Sequence, residues 1–201
     1  MDGIAWASSA MIAARTRLEI ATDNLANVST DGFHAELARG TLSANGVQIV
    51  PVADREHGAL RFTGRPYDLA LVGDGTFRVR ADDGRITATR NGQFSRDRFG
   101  VLRDDAGRAL LGLHGALRVP DGARIDERGR VLLAGERIDR VLVSGGNAAV
   151  RSGFVETPNV NAIGEMVNVL AAQRSFESAE KVVSAIDGTR QKASNDVARL
   201  K

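Results

Sequence analysis

Residues 4–28 carry apolar side chains at a seven-residue interval: Ile4, Met11, Leu18 and Leu25, with a second series three positions on at Ala7, Ala14, Ala21 and Val28. This is an a/d heptad pattern over four repeats, widened by Ile12 and Ile20, and it predicts a long helix with one face that must be covered. No Gly or Pro interrupts the stretch and alanine is frequent, so helix propensity agrees with the pattern. Small residues at the d positions let a partner helix come close. After Asn27 the signal changes: Val28-Ser29-Thr30-Asp31-Gly32-Phe33 is turn chemistry closed by an apolar anchor.

A partner is visible at the other end of the chain. Over residues 159–201 the apolar positions are Ile163, Met166, Leu170, Phe176, Ala179, Val183, Ile186, Ala193, Val197 and Leu200, mostly three and four apart. Thr157-Pro158-Asn159 is a start signal, and Gly188 is the one helix-weakening residue after Gly164. The two stripes predict a seam in which Met11, Leu18 and Leu25 meet residues such as Met166, Leu170, Val183 or Ile186, in the same chain or a neighbour. Periodicity alone is equally satisfied by an ordinary two-helix layer in a globular domain. Asn24 and Asn27, polar residues near the end of an apolar face, are read either as caps or as register-fixing contacts to a neighbouring subunit.

Between the helices the texture is different. Residues 34–64 read as an extended transition without sustained period. Residues 65–150 read as a central antiparallel β domain. Tyr67, Leu69 and Leu71 share one face, Phe77 and Val79 alternate with Arg78 and Arg80, and Gly73-Asp74-Gly75, read as a hairpin turn, Asp83-Gly84, Asn91-Gly92, Asp121-Gly122 and Arg128-Gly129 supply turns. Residues 151–201 lead back into the terminal helix. With residues 1–33 as the first helix and its turn, the expectation is an α+β chain: long terminal helices forming a coiled-coil-like layer, and a central antiparallel β domain.

Composition excludes more than it selects. The chain has 201 residues, no cysteine and a net charge of +2, so disulfides, thiol chemistry and Cys-based metal sites are out, and charge does not suggest nucleic acid. No apolar run reaches the length of a membrane span. Asp2 stands where a signal peptide needs a basic residue, and Arg15 and Arg17 follow the apolar run, so residues 3–14 read as helix rather than as a cleaved signal. His34, His57 and His114 are scattered without ligand spacing, Ser152 lacks a GxSxG context, and Gly73-Asp74-Gly75 lacks the lysine of a phosphate loop. The paired acids at Asp82-Asp83-Gly84 and Asp104-Asp105-Ala106-Gly107 lack the pattern of a calcium loop and read as turns. The arginines from Arg78 to Arg108 read as a solvated or protein-contacting surface. No enzyme, cofactor, metal site or small-molecule substrate is expected.

Three stretches carry a family resemblance. Asp23-Asn24-Leu25-Ala26-Asn27-Val28-Ser29-Thr30-Asp31-Gly32-Phe33 resembles the N-terminal signature of bacterial flagellar rod and hook proteins, roughly NNLANxxTxGF. Asn159-Val160-Asn161-Ala162-Ile163-Gly164-Glu165-Met166-Val167 resembles that family's SNV(N/D)xVxEM motif, followed as in the family by an arginine and an aromatic, Arg174 and Phe176. Arg65-Pro66-Tyr67-Asp68-Leu69-Ala70-Leu71-Val72-Gly73-Asp74-Gly75-Thr76-Phe77 is similar to the family's (R/N)PLDxAIxGDGFF.

The resemblance implies a structural subunit of the flagellar basal-body rod that assembles helically through its terminal helices and transmits torque from motor to hook. It also implies export by the flagellar type III apparatus without a cleaved signal, and partners that are other axial proteins and copies of itself in the periplasmic space. Gly32-Phe33-His34-Ala35-Glu36-Leu37 and Arg151-Ser152-Gly153-Phe154-Val155-Glu156 resemble the proximal-rod members, with the distal-rod members as rivals and a shorter central region here. The implied assembly interface is Ile4, Met11, Leu18, Asn24, Leu25, Asn27, Val28, Gly32 and Phe33 with Asn159, Val160, Asn161, Glu165, Met166, Leu170, Arg174, Phe176, Val183 and Ile186. The competing readings are a self-contained β module clamped by its own helix pair, and a glycan-acting enzyme for which no positioned acid pair is seen.

Overall fold

The computed structural model describes residues 3–44, 46–146 and 148–199, with side chains through Lys192. The fold is α+β, with two helices and antiparallel strands. The chain forms two compact units, each built from separate segments: Met1–Val28, Ala35–Asp54 and Val160–Lys201 in the first, Ser29–His34 and Arg55–Asn159 in the second.

In the first unit the heptad stretch is helix α1, Gly3–Ala26, and turns follow it from Asn27 to Gly32. The C-terminal helix α2 is Ala162–Arg199, and Asn161 caps it by accepting the Gly164 N–H at 3.2 Å. The helices pack antiparallel. A Cβ on Gly3 would lie 3.6 Å from Ile186 Cδ1, while at the other end Asn24 Nδ2 donates to Glu165 Oε1 at 3.2 Å. Both intervals are three heptads, so the two repeats stay in step along the pair. Ala7, Ala14 and Ala21 are buried on α1; on α2 Ala172 and Ala179 are buried and Val169, Phe176, Val183 and Ile186 half-buried. Met166 and Leu170, expected on the seam, are instead 53% and 56% exposed. The reason is steric: an alanine-lined seam brings the helices close and excludes the larger side chains from it. Ala193, Val197 and Leu200 lie outside the side chains described.

The segment 34–64 contains regular structure where no period was visible. Strands Glu36–Ser43 and Gly46–Ala53 form an antiparallel hairpin with Glu36 opposite Ala53. This hairpin covers a second face of α1, where Ala13 and Ile20 pack with Ile49 and Val47. Ser9 Oγ accepts the Val47 N–H at 3.3 Å, and a Cβ on Gly46 (φ 121°) would fall 2.0 Å from Ser9 Oγ. Ile20 is therefore covered, whereas Ile12 is exposed.

In the second unit Thr76–Arg80 is the hub of the largest sheet. It pairs antiparallel with Ile86–Thr89, Ala109–Gly112 and Val143–Ser144, and the sheet continues through Leu102–Arg103 to Ser95–Arg96. Phe77 and Val79 point into the core and Arg78 and Arg80 away from it, as alternation predicts. Leu69, Ala70 and Leu71 are all buried, so Leu69–Val72 is covered on both faces rather than one. It pairs with Ala149–Ser152, and Leu60–Phe62 pairs with Phe154–Glu156. The core joins Leu69, Phe77, Val79, Leu102, Leu110, Leu117, Val119 and Val131, all fully buried.

Four tight turns share one geometry. The N–H of residues 81, 97, 104 and 126 donates to the carbonyl four positions on at 2.9–3.0 Å, and Gly84, Gly100, Gly107 and Gly129 sit fourth with φ of 67–84°. This is a type I turn closed by a left-handed residue, which favours glycine. In three of them an Asp begins the turn and is paired with an arginine further on: Asp97 with Arg103 at 2.9 Å, Asp104 with Arg108 at 2.8 Å, Asp126 with Arg130 at 2.6 Å. The Arg103 hydrogen bond, with the N–H groups of Val101 and Phe99, holds the Asp97 carboxyl below the ordinary carboxylate range. At Asp126 burial pushes upward, but the Arg130 guanidinium and the N–H groups of Arg130 and Arg128 outweigh it, and the carboxyl again lies low.

Gly73-Asp74-Gly75, expected as a hairpin turn, and Asn91-Gly92, expected as a turn, are something else. Gly73-Asp74-Gly75 separates strands that do not pair with each other, so it is a crossing between sheets. Asn91-Gly92 is a close approach: a Cβ on Gly92 would lie 1.5 Å from the Leu69 carbonyl oxygen, and that residue's N–H donates to Gly92 O at 2.9 Å.

Candidate assembly interface

In the first unit the node of the N-terminal motif is Asn24, 1% exposed although a carboxamide. Its Nδ2 donates to Glu36 O at 2.8 Å and its Oδ1 accepts the Glu36 N–H at 2.8 Å, as a neighbouring strand would. Nδ2 also reaches Glu165 Oε1, whose partner oxygen accepts Asn168 Nδ2 at 3.2 Å. One buried amide thus fixes α1, the hairpin and α2 together. Read from sequence as a cap or a contact to a neighbour, Asn24 is committed within the chain. Asn27 bonds back to Asp23 O at 2.9 Å.

Around that node Ile4, Met11, Leu18, Leu25 and Val28 are half-buried along α1, and Phe176, Val183 and Ile186 are half-buried on α2. The opposite side of α2 is open. Ile163, Met166, Val167 and Leu170 lie on one face at helical spacing, each more than half exposed, and Asn161 and Arg174 are exposed near them in sequence.

In the second unit the end of the motif is locked by backbone bonds. The Gly32 N–H donates to Glu156 O at 2.7 Å, and a Cβ there would lie 2.4 Å from backbone atoms of Arg90 and Asn91. Phe33 O accepts the Asn159 N–H at 3.4 Å, and Asn159 Nδ2 donates to Glu56 O at 2.9 Å. Asp31 accepts from Arg61 at 2.6 Å and from Gln93. Val160, the first residue of the last segment of the first unit, is half-buried.

The residue sequence reasoning placed worst is Arg90. Expected among solvated arginines, it is buried beside Glu156: Nε donates to Glu156 Oε2 at 2.7 Å, Nη1 to Gly73 O and Gly75 O at 3.0 and 2.8 Å, and Nη2 to Leu71 O at 3.1 Å. A strand-end arginine followed by Asn-Gly carries no local sign of burial, because the carboxylate it meets is 66 positions away.

Comparison with known proteins gives the family. Family models match in three consecutive pieces: flagella basal body rod protein over residues 4–34, flagellar hook protein FlgE/F/G D1 domain over 70–133, and flagellar basal body rod FlgEFG protein C-terminal over 151–196. The class is therefore that of flagellar rod and hook proteins. Flagellar basal-body rod protein FlgF of Escherichia coli (strain K12) is 30% identical, over 87% of this chain and 89% of that protein. FlgF of Mesorhizobium japonicum is 29% identical over 88% and 90%, and FlgG of Bacillus subtilis (strain 168) 26% over 90% and 93%. The chain belongs to the flagellar basal-body rod protein family. The E. coli alignment runs to 225 positions against 201 residues here, so the relative carries segments with no counterpart in this chain.

Proposed function

We propose that this chain is a structural, non-enzymatic subunit of the flagellar basal-body rod, of the FlgF, proximal-rod kind. Its terminal helices form the coiled-coil-like layer through which it assembles helically with copies of itself and with other axial proteins, and the rod so built transmits torque from motor to hook. It is exported by the flagellar type III apparatus without a cleaved signal and takes its place in the periplasmic space. The FlgF kind is preferred to FlgG on Gly32-Phe33-His34-Ala35-Glu36-Leu37 and on identities of 28–30% to three FlgF proteins.

The observation that carries the assembly reading is the row Ile163, Met166, Val167 and Leu170. The α1–α2 seam is filled by alanines and half-buried side chains, yet these four larger apolar residues, and Val182 further on, remain exposed on α2. Leu170→Asp tests this. A single exposed substitution changes the stability of the isolated chain by no more than about 0.5 kcal/mol. In cells it is expected to abolish rod completion and swimming while the protein is still made and exported. Normal swimming of Leu170→Asp cells overturns the interface. The antiparallel pairing of α1 and α2 within one chain favours, as the second reading, a self-contained module clamped by its own helices, and that outcome would select it.

A further inference from the structure

Glu156 ends the strand Phe154–Glu156 and its side chain is 1% exposed. Oε2 is taken by Arg90; Oε1 accepts the Gly58 N–H at 3.1 Å and faces two imidazoles, His34 Nε2 at 3.2 Å and His57 Nδ1 at 3.6 Å. The remaining ring nitrogen of His57, Nε2, lies 3.2 Å from Asp74 Oδ1. His57 therefore stands between two carboxylates. A neutral imidazole has one N–H, so whichever nitrogen carries it, the other turns a lone pair toward a carboxylate oxygen. That contact between two acceptors is relieved by a metal ion shared between the ring nitrogen and the carboxylate.

The arrangement has the dimensions of a metal site. Ligand atoms about 2.0–2.1 Å from a tetrahedral ion are about 3.3 Å from one another. The two separations onto Glu156 Oε1, 3.2 and 3.6 Å, are of that size, and the three donor atoms lie within 4.8 Å of each other. Arg90 and Gly58 already fix the carboxylate, leaving one lone pair of Oε1 for a single, monodentate bond. Asp74 is placed to hold the His57 Nε2–H and so present Nδ1 as the ligand, the usual carboxylate support of a metal-binding imidazole. His57 is 36% exposed at its side chain, which gives it room to close the last ångström and leaves a fourth position for water.

We propose that His34, His57 and Glu156 bind one divalent first-row transition ion, with Zn2+ the best match to two imidazole nitrogens, one carboxylate oxygen and an open fourth position. The donors come from three separate segments of the second unit: the turn before the hairpin, the stretch between the hairpin and Leu60, and the last strand. The ion ties residues 34 and 57 to residue 156 and stabilises that unit, since binding to the folded state alone is folding free energy. The site is independent of the rod reading and goes beyond it.

The test uses the full-length, untagged chain after chelator treatment, titrated with ZnCl2 by calorimetry and with CoCl2 by visible absorption. Expected are one ion per chain, the intense d–d absorption of tetrahedral cobalt, its loss on adding zinc, and a higher unfolding midpoint with zinc. His34→Gln and His57→Gln each weaken zinc binding at least tenfold, and Asp74→Asn about tenfold. Circular dichroism confirms that these variants, changed at partly exposed side chains, keep the fold. Glu156→Gln is avoided because it strands Arg90. Absence of saturable binding overturns the proposal. So does binding whose affinity and cobalt spectrum are unchanged in both histidine variants, which places the ion elsewhere.

Discussion

Arg90→Met removes the guanidinium from Glu156 and leaves a carboxylate buried without its ion pair. Breaking a buried pair from one side costs about 3–5 kcal/mol, because the surviving charge keeps its desolvation penalty. The carbonyls of Leu71, Gly73 and Gly75 also lose their donor; Gly73 is exposed and Gly75 half-buried, so water replaces much of that loss, whereas Leu71 is buried and its lost bond pushes the total toward the upper end of that range. For a unit of this size each kcal/mol moves the midpoint by about 4–8 °C, so a fall of roughly 12–40 °C is expected. The chain contains one tyrosine and one tryptophan, Tyr67 in the second unit and Trp6 in the first, so near-ultraviolet dichroism of the tyrosine and fluorescence of the tryptophan separate the two. The loss should appear in the tyrosine signal, with chelator present to remove any bound ion. The double variant Arg90→Met with Glu156→Met should regain most of it, because an apolar pair of similar volume replaces a buried ion pair at little net cost. A single variant that loses less than about 1 kcal/mol, or a double variant no better than the single, refutes the argument.

Three further outcomes are expected. Gly92→Ala pushes a methyl to 1.5 Å from the Leu69 carbonyl oxygen, so the second unit should lose several kcal/mol and become protease-sensitive, whereas Gly84→Ala, with nothing within 4 Å, should cost only the left-handed conformation, about 1 kcal/mol. Asn24→Leu keeps the size but leaves the N–H and C=O of Glu36 without their partner; a loss of about 1–3 kcal/mol should appear in urea unfolding followed by Trp6 fluorescence. Asp97 and Asp126 titrate lower folded than unfolded, so the unfolded chain binds more protons and their contribution is present above the ordinary carboxylate value. It is lost as pH falls through the depressed values, so the tyrosine-reported midpoint should fall below about pH 4, and Asp97→Asn should flatten that fall.

Helix α1 was legible almost to the residue because its periodicity, propensity and stop signal agree, and α2 because Thr157-Pro158-Asn159 announces a start just ahead of Ala162. The rotational phase of α2 was not. Two apolar rows run along it, and size favoured Met166 and Leu170 for the seam, whereas an alanine-lined partner selects Ala172 and Ala179. The hairpin 36–53 was hidden because Leu37, Leu42 and Val50 face outward, so burial and hydrophobicity do not alternate together. Gly92 looked like half of a turn dipeptide; only the packed chain shows Leu69 behind it. Likewise His34, His57 and Glu156 have no ligand spacing, since strand pairing rather than helix pitch brings them together.

The two units are held by different chemistry. The second has a core of fully buried leucine, valine and phenylalanine, each contributing about 1.5–3 kcal/mol by burial. The first buries mainly alanine, where each methyl contributes only about 0.8 kcal/mol, together with one carboxamide that must be fully bonded to be tolerated. Additional burial for the first unit has to come from the side chains it leaves outside, Ile163, Met166, Val167 and Leu170, so its stability is coupled to whatever covers them. This accounts for where the two terminal signatures fall. Residues 23–33 and 159–167 span two of the four points at which the chain passes between units, Val28 to Ser29 and Asn159 to Val160, the others being His34 to Ala35 and Asp54 to Arg55. On one side of those points Asn24 binds Glu36 and Glu165; on the other Gly32 and Phe33 bind Glu156 and Asn159.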